Sequence, residues 1–447
     1  MERFFYASIM LLSALILVCP NKSSAEMILD MESAVRMGLE RNQSLQAVRE
    51  EVRGREYGIK SARGAFGPRL STAYGYTRLD ERPEMRTMDP ATGQPVNIEG
   101  SRDLWVLNIN IRQPLFTGFN LLSTYQMSKL AHEQSQSQLD RAELELILEI
   151  QTTFLDLLAA RQSVRVAEDS VTRLESHLEV SRSLFDVGLA PRLDVLRAQV
   201  DVSEAEQELI TAQNQVQTLE ALLNMLLNLP WGQQVIYEGE LQFLPYTLNL
   251  DESRRIALRK RPDIFIADKS IQIALKDERI TASDFYPHIG ANFDFFRRGD
   301  DPTVSGGVLQ DRKEWRAGVQ LEWTIFEWGR TYYAWEQARQ GTRRLMAEYQ
   351  SLLQSVSFEV KADYLFIQES RKRITVARQG VEEARESFRM AEARYEAQVG
   401  TSTEVLDAQA NLTRAEGSLI LAESDYLKAL ASIYRSMGEK NIDLSPR

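Results

Sequence analysis

The chain has one cysteine, Cys19, and only three histidines, His132, His177 and His288, among 447 residues. The histidines lack metal-ligand spacing and are expected on exposed helix faces or in loops. Basic residues are in deficit: 53 Lys and Arg against 64 Asp and Glu leave a formal charge of −11. Nucleic acid is therefore excluded as a partner, because phosphate binding shows as a basic patch. After the first 25 residues no apolar run reaches the roughly 18 residues that a spanning helix needs. Any membrane crossing must then be made by strands. No phosphate-binding glycine loop and no nucleophile elbow occurs, so nothing indicates an enzyme or a cofactor.

The long apolar run that does occur is N-terminal. Arg3, the stretch Phe4 to Val18 and the small residues Ser23, Ser24 and Ala25 read as a secretory signal with cleavage after Ala25. Residues 1–25 are accordingly expected to be removed. Cys19 stands between Val18 and Pro20 rather than among the small residues that lipid attachment favours, so it is expected to leave with the signal.

An internal repeat organises the rest. From Pro114 onward, residues 210 apart correspond: Phe116 with Phe326, Leu155 with Leu365, Val195-Leu196 with Val405-Leu406, Ala198-Gln199 with Ala408-Gln409. Before that point the offset is 219, pairing Gly67-Pro68 with Tyr286-Pro287. The nine-residue difference is assigned to a loop in the Pro- and Gly-rich segment from Asp80 to Arg102. Residues 26–230 form one unit, 231–250 a linker and 251–447 the second unit with its tail, each unit reading as helix, two strands, long helix, turn, helix.

The last helix of each unit carries a strict heptad. In the first, Val195, Ala198, Val202, Ala205, Leu209, Ala212, Val216, Leu219 and Leu223 recur in steps of three and four. In the second, Val405, Ala408, Leu412, Ala415, Leu419, Ala422, Tyr426, Ala429 and Ile433 do the same. Such a seam implies left-handed supercoiling against a partner helix. The expected partners are the preceding long helices, 121–186 and 331–397, each about 100 Å at 1.5 Å per residue.

Four segments alternate with the two-residue period of half-buried strands. Leu70, Thr72, Tyr74 and Tyr76 share a face, as do Trp105, Leu107, Ile109 and Ile111; Ile289, Ala291, Phe293 and Phe295; and Trp315, Ala317, Val319, Leu321 and Trp323. Pro68 and Pro287 stand at strand starts, and Pro114 is expected to follow the second strand. Their length suits a membrane barrel, but four strands are too few to close one, since single-chain outer-membrane barrels begin at about eight. Three copies of the chain would supply twelve.

At these residues the chain resembles the TolC-like outer membrane efflux proteins. The resemblance rests on the duplicated unit, on "RQPLFTGF" and "TIFEWGR" at the strand exits, and on "VGLAPRLDVLRAQ" and "VGTSTEVLDAQ" at the helical turns. It implies an α+β, mostly α fold. Three chains would form a homotrimer whose twelve-stranded transmembrane β-barrel sits among outer membrane lipid and continues as a long periplasmic coiled-coil α-barrel. It also implies an exit duct of a Gram-negative efflux or type I secretion system, working with a periplasmic adaptor and an inner-membrane transporter.

Carried onto this chain, the resemblance marks Val187, Gly188 and Leu189, with Val399, Gly400 and Thr401, as tips facing the adaptor. Gly188 corresponds to Gln398, and the second glycine falls two positions later, so the two turns are expected to differ. The pore constriction maps onto Glu404 and Asp407, with Asp194 as a further gate carboxylate. Glu404 also fits a capping box with Thr401, in which its carboxylate would bond a backbone donor at the helix start. Capping and constriction are compatible roles. Arg197 corresponds to Asp407, and a salt bridge between them would make a closing latch. The competing reading is a periplasmic coiled-coil scaffold or adaptor with no membrane barrel.

Overall fold

The computed structural model describes residues 27–444. The expected signal segment, with Cys19, lies outside the described residues. In chain order the elements are β1 (Met27–Leu29), α1 (Met31–Arg41), α2 (Gln43–Gly64), β2 (Arg69–Arg78), β3 (Glu84–Met88), β4 (Pro95–Glu99), β5 (Asp103–Thr117), α3 (Asn120–Asp186) and α4 (Arg192–Leu226). They continue as β6 (Val235–Tyr237), α5 (Leu250–Lys260), α6 (Pro262–Thr281), a short 3-10 turn (Ala282–Phe285), β7 (His288–Gly299), β8 (Lys313–Glu322), α7 (Arg330–Glu396) and α8 (Ser402–Ser436). The element order repeats, and both long helices fall within one residue of their expected limits.

The chain divides into two units. The first comprises the residues up to Gln43, Glu143–Ser253 and the chain from Val360 onward. The second comprises Ser44–Ala142 and Arg254–Glu359.

In the first unit, the heptad seams are the buried faces of α4 and α8. Ala198 and Leu223 on α4, and Val405, Leu412, Tyr426, Ala429 and Ile433 on α8, are almost completely enclosed. Ile150, Phe154, Leu155 and Leu157 of α3 are buried to the same degree. Ion pairs tie the exposed margins: Arg161 of α3 to Glu220 of α4 at 2.8 Å, Arg173 of α3 to Glu416 of α8 at 3.2 Å, and Arg373 of α7 to Asp425 of α8 at 2.8 Å. The stretch expected as a plain linker contributes β6, which pairs in parallel with β1. Tyr237 of β6 is buried edge-on to Phe154, with ring centroids 5.9 Å apart, and donates to Asn224 Oδ1 at 2.7 Å.

In the second unit, a four-stranded antiparallel sheet runs in the order β2-β5-β7-β8. Its register places Tyr74 opposite Leu107, Ile109 opposite Phe295, and Phe293 opposite Ala317, so the apolar residues of all four strands share one face. The other face carries Asn110, Asp294 and Arg316 in one row. Asn110 donates to Asp294 at 2.7 Å, and Glu314 accepts from Arg298 at 2.6 Å and from Arg316 at 2.5 Å.

One sequence expectation needs correction here, and another gains detail. Pro114 does not follow its strand: β5 runs on to Thr117 through a bulge between Pro114 and Phe116, a site where a missing backbone donor costs no ladder bond. The loop between Asp80 and Arg102 is itself ordered, because β3 and β4 pair within it as a hairpin. Its turn is held by Asp89, which accepts from the Ala91 amide at 2.8 Å and the Thr92 hydroxyl at 2.9 Å, and is relieved by Gly93 at φ 65°.

Candidate functional site at the helical turns

Both long helices reverse through one backbone design. At the first turn, the amide of Gly188 bonds the Phe185 carbonyl, and those of Leu189 and Ala190 both reach the Leu184 carbonyl. At the second, Gln398 bonds Tyr395, while Val399 and Gly400 both reach Arg394. The left-handed position is Gly188 (φ 78°) in one and Gln398 (φ 60°) in the other. The turns were expected to differ because the glycine is displaced, but they share one fold. The second turn accepts a strained glutamine and gains a side-chain clamp: Arg394 Nη2 donates to the Val399 carbonyl at 3.0 Å, where the first turn has Leu184.

The tip residues stand out from these turns. Val187, Leu189 and Val399 are each more than half exposed, and Thr401 is exposed at the start of α8. Thr401 Oγ1 accepts from the Glu404 amide at 3.3 Å. The Glu404 carboxylate does not complete the capping box. It points instead toward Arg394, with 3.8 Å between Oε2 and Nε, because that guanidinium is already anchored across the turn.

Asp194 is half-buried in the first turn of α4, where the helix dipole favours a carboxylate. Asp407 is exposed one turn beyond Glu404. The salt bridge between Arg197 and Asp407 is not formed within the chain: Arg197 Nη1 donates to Thr403 Oγ1 at 3.1 Å. Both instead flank Asp201. Burial, then Glu204, and then Asp407 against the opposing pull of Arg197, hold the Asp201 carboxyl above the usual range.

A polar cluster missed by sequence reading lies just behind these residues. His177 of α3 is 5% exposed, against the expectation of an exposed position. Its Nε2 lies 2.9 Å from Ser402 Oγ, and its ring lies 5.0 Å from that of Tyr395, whose hydroxyl is 3.1 Å from Ser181 Oγ. Burial pushes the imidazole below its ordinary pKa, with Asp194 opposing. The same helices carry an apolar layer of Leu174, Leu178, Ala198, Val202 and Ala205, with Leu406 packed against it. A lone histidine among helix residues gives no sequence signal for this, since the partners stand more than 200 positions away.

The helical hairpins and the two-faced sheet are thus arranged as paired copies of one unit. Residues 34–229 and 254–439 both match the family described as outer membrane efflux protein. The chain belongs to the outer membrane efflux protein family. It is 21% identical over 405 residues to outer membrane efflux protein BepC of Brucella suis, covering 90% of this chain and 84% of that one. With outer membrane protein TolC of Vibrio cholerae it shares 21% over 387 residues, covering 85% and 84%. The solved Campylobacter jejuni CmeC outer membrane channel gives a TM-score of 0.78 over 91% of this chain and 85% of that chain at 16% identity, a likeness of fold.

The expected resemblance to TolC-like proteins therefore holds, and the protein is an outer membrane channel, the exit duct of a tripartite efflux or secretion system. The family is one of transport channels, not enzymes, and works with an adaptor and an inner-membrane transporter. A periplasmic scaffold without a barrel is displaced by that membership. No helix among the described residues is long and apolar enough to cross a membrane.

Proposed function

We propose that three copies of this chain close into a twelve-stranded barrel that passively conducts small molecules or proteins to the exterior, continued by a helical tunnel built from the two units 26–230 and 251–447. The observation that carries this reading is the four-stranded sheet with one apolar and one polar face and free outer edges on β2 and β8 within the described residues. A long exposed edge is a template for pairing. Joining β8 of one copy to β2 of the next is a head-to-tail contact that closes on itself when the rotation permits. The apolar residues then face lipid, and the charged row faces the lumen. The band ends at the loop side in charge: Arg78 lies 3.7 Å from Asp103, and Arg297 is opposite Lys313.

Glu404, Asp407 and Asp194, repeated in three chains, would ring the periplasmic mouth with carboxylates. Such rings favour cations and hinder anions. Val187, Gly188 and Leu189, with Val399, Gly400 and Thr401, would meet the adaptor. Single-channel conductance in a planar bilayer tests the constriction: replacing Glu404 and Asp407 with Ser is expected to raise conductance and lower cation preference. Unchanged conductance and selectivity would remove these residues from the constriction.

A further inference from the structure

The two repeats place a cross-strand pair at the same level of the sheet, near the ends that join the helices, and fill it differently. Arg69 of β2 stands directly opposite Arg112 of β5. Their counterparts, 219 and 210 positions later, are His288 of β7 and Glu322 of β8, which also stand directly opposite each other. A level that holds a complementary pair in one repeat therefore holds a like-charge pair in the other. Like charges directly opposite across antiparallel strands are unfavourable.

Nothing in the chain neutralises the arginine pair. Both residues are exposed, and neither guanidinium has a hydrogen bond or an ion pair among the described residues. Two of the three carboxylates that the strands place on this polar face are already engaged. Asp294 accepts from Asn110 at 2.7 Å through one oxygen and from Asn292 at 3.1 Å through the other. Glu314 accepts from Arg298 at 2.6 Å and from Arg316 at 2.5 Å. The third, Glu322, lies on β8, two strands away from Arg112. Of the four arginines on this face, two thus share a carboxylate and two have none.

The space between the two pairs is open. The row separating them carries Pro114 opposite Gly290, and a Cβ on Gly290 would meet only the Gln113 carbonyl oxygen, at 3.8 Å. A concavity of about 890 Å³ results, bounded by Arg69, Arg112, Asn292, His288 and Glu322.

We infer that Arg69 and Arg112 form a binding site for the oxyanion groups, phosphate or carboxylate, of cargo passing through the lumen. This rests on the reading of the polar face as luminal and adds the charge class that the barrel favours. Each guanidinium offers a planar fork of donors that matches an oxyanion. An oxyanion seated between them accepts from both and removes their mutual repulsion, so the pair is more stable loaded than empty. The chain's own Asp294 does not compete, because Asn110 and Asn292 hold it. In each copy two guanidinium groups face one unengaged carboxylate at this level, which makes it net positive, opposite in sign to the carboxylates at the helical turns. Rings of arginine serve anion and phosphate pores in this way.

Single-channel recording of the full-length protein in a planar bilayer tests this, with inorganic tripolyphosphate and citrate as probes of the phosphate and carboxylate arms. Both are expected to block current through the unmodified channel. In Arg69→Gln combined with Arg112→Gln, the half-blocking concentration should rise about tenfold or more, as expected for loss of one charge-assisted hydrogen bond. Arg69→Lys with Arg112→Lys keeps the charge without the planar fork and should give a smaller rise. Arg298→Gln removes a guanidinium already bonded to Glu314 and should change block far less. Block by tripolyphosphate alone supports a phosphate site, and block by citrate alone a carboxylate site. The inference is overturned if neither probe blocks the unmodified channel, or if the paired glutamine variant is blocked as readily. It is equally overturned if Arg298→Gln shifts block as much, since block would then follow the charge of the lumen as a whole. An unmodified protein that forms no conducting channel would instead overturn the duct reading, and the inference with it.

Discussion

His177 Nε2 and Ser402 Oγ lie 2.9 Å apart, joining α3 to the first residue of α8 and so one helical hairpin to the other. The contact sits beneath both turns. It favours a neutral imidazole, because burial penalises the charged form and the positive end of the α8 dipole lies beside it. Asp194, at the start of α4, pulls the other way and is outweighed. The junction of the hairpins therefore holds a buried imidazole whose neutral form is favoured.

Acid is expected to loosen the tip through His177. Its pKa in the folded protein lies below the ordinary value of about 6.5. An opened tip then takes up a proton before the closed one does, so the contribution of His177 is complete above that value and is lost as pH falls through the lower one. Hydrogen exchange of amides flanking Ser181 and Val405, compared at about pH 7.5 and about pH 5.5 on either side of the ordinary value, should show faster opening in acid. In His177→Gln that difference should shrink. Equal acid sensitivity in both proteins would contradict the assignment.

Both turns are expected to favour glycine at the left-handed position, so that losing it from one and gaining it in the other have opposite effects. Gly188 at φ 78° carries no Cβ penalty, so Gly188→Ala should destabilise its turn by about 1 kcal/mol. Gln398 at φ 60° already bears that strain, and Gln398→Gly should relieve up to about 1 kcal/mol. Protection of the Leu189 and Val399 amides reads each effect locally. Loss of protection in both variants would show that the turns do not share one backbone.

Much of this architecture was legible in the sequence because its signals are long. Heptads sustained over Val195–Leu223 and Val405–Ile433 leave little freedom in the choice of buried face, and two-residue alternation in four segments fixes the faces of the sheet. Short signals served less well. The shift of glycine from Gly188 to the position of Gly400 looked like a change of turn, but a two-residue pattern cannot reveal that Gln398 accepts a left-handed conformation. Arg394 clamping Val399 was invisible for the same reason. His177 was misjudged because its environment is supplied by Tyr395 and Ser402, which only the tertiary fold brings near. The three tip carboxylates were singled out through resemblance alone, and the side-chain partners of two tip residues, Thr403 for Arg197 and Arg394 for Glu404, emerged only from the fold.

Tyr237 anchors the short parallel pair of β1 and β6, and its hydroxyl is expected to matter out of proportion to its size. The ring is 1% exposed, and the hydroxyl donates to Asn224 Oδ1 at 2.7 Å in surroundings that push its pKa well up, chiefly through burial. Tyr237→Phe retains the edge-on contact with Phe154 but leaves the Asn224 oxygen unpaired, a loss of about 1–3 kcal/mol. Denaturant titration of the detergent-solubilised protein, followed by helix signal, should register it. Asn224→Ala in the Tyr237→Phe background should cost little more, since the bond is already gone.

Arg394 holds the carbonyl of Val399 at 3.0 Å and faces the carboxylate of Glu404 at 3.8 Å, so it partly neutralises a residue proposed for the constriction. Arg394→Ala removes that counter-charge and is expected to make the channel more cation-selective, whereas Glu404→Ser should make it less so. The opposition of signs is the useful feature. General loosening of the turn would move both variants the same way, while an electrostatic role moves them apart, because a fixed ring of charge acts on permeant ions through its net value. Reversal potentials measured across a potassium chloride gradient distinguish the two cases. The double variant, Arg394→Ala with Glu404→Ser, should lie near Glu404→Ser alone, since an uncompensated carboxylate no longer remains to be unmasked. A double variant as selective as Arg394→Ala would place the selectivity elsewhere, with Asp407 as the next carboxylate to remove.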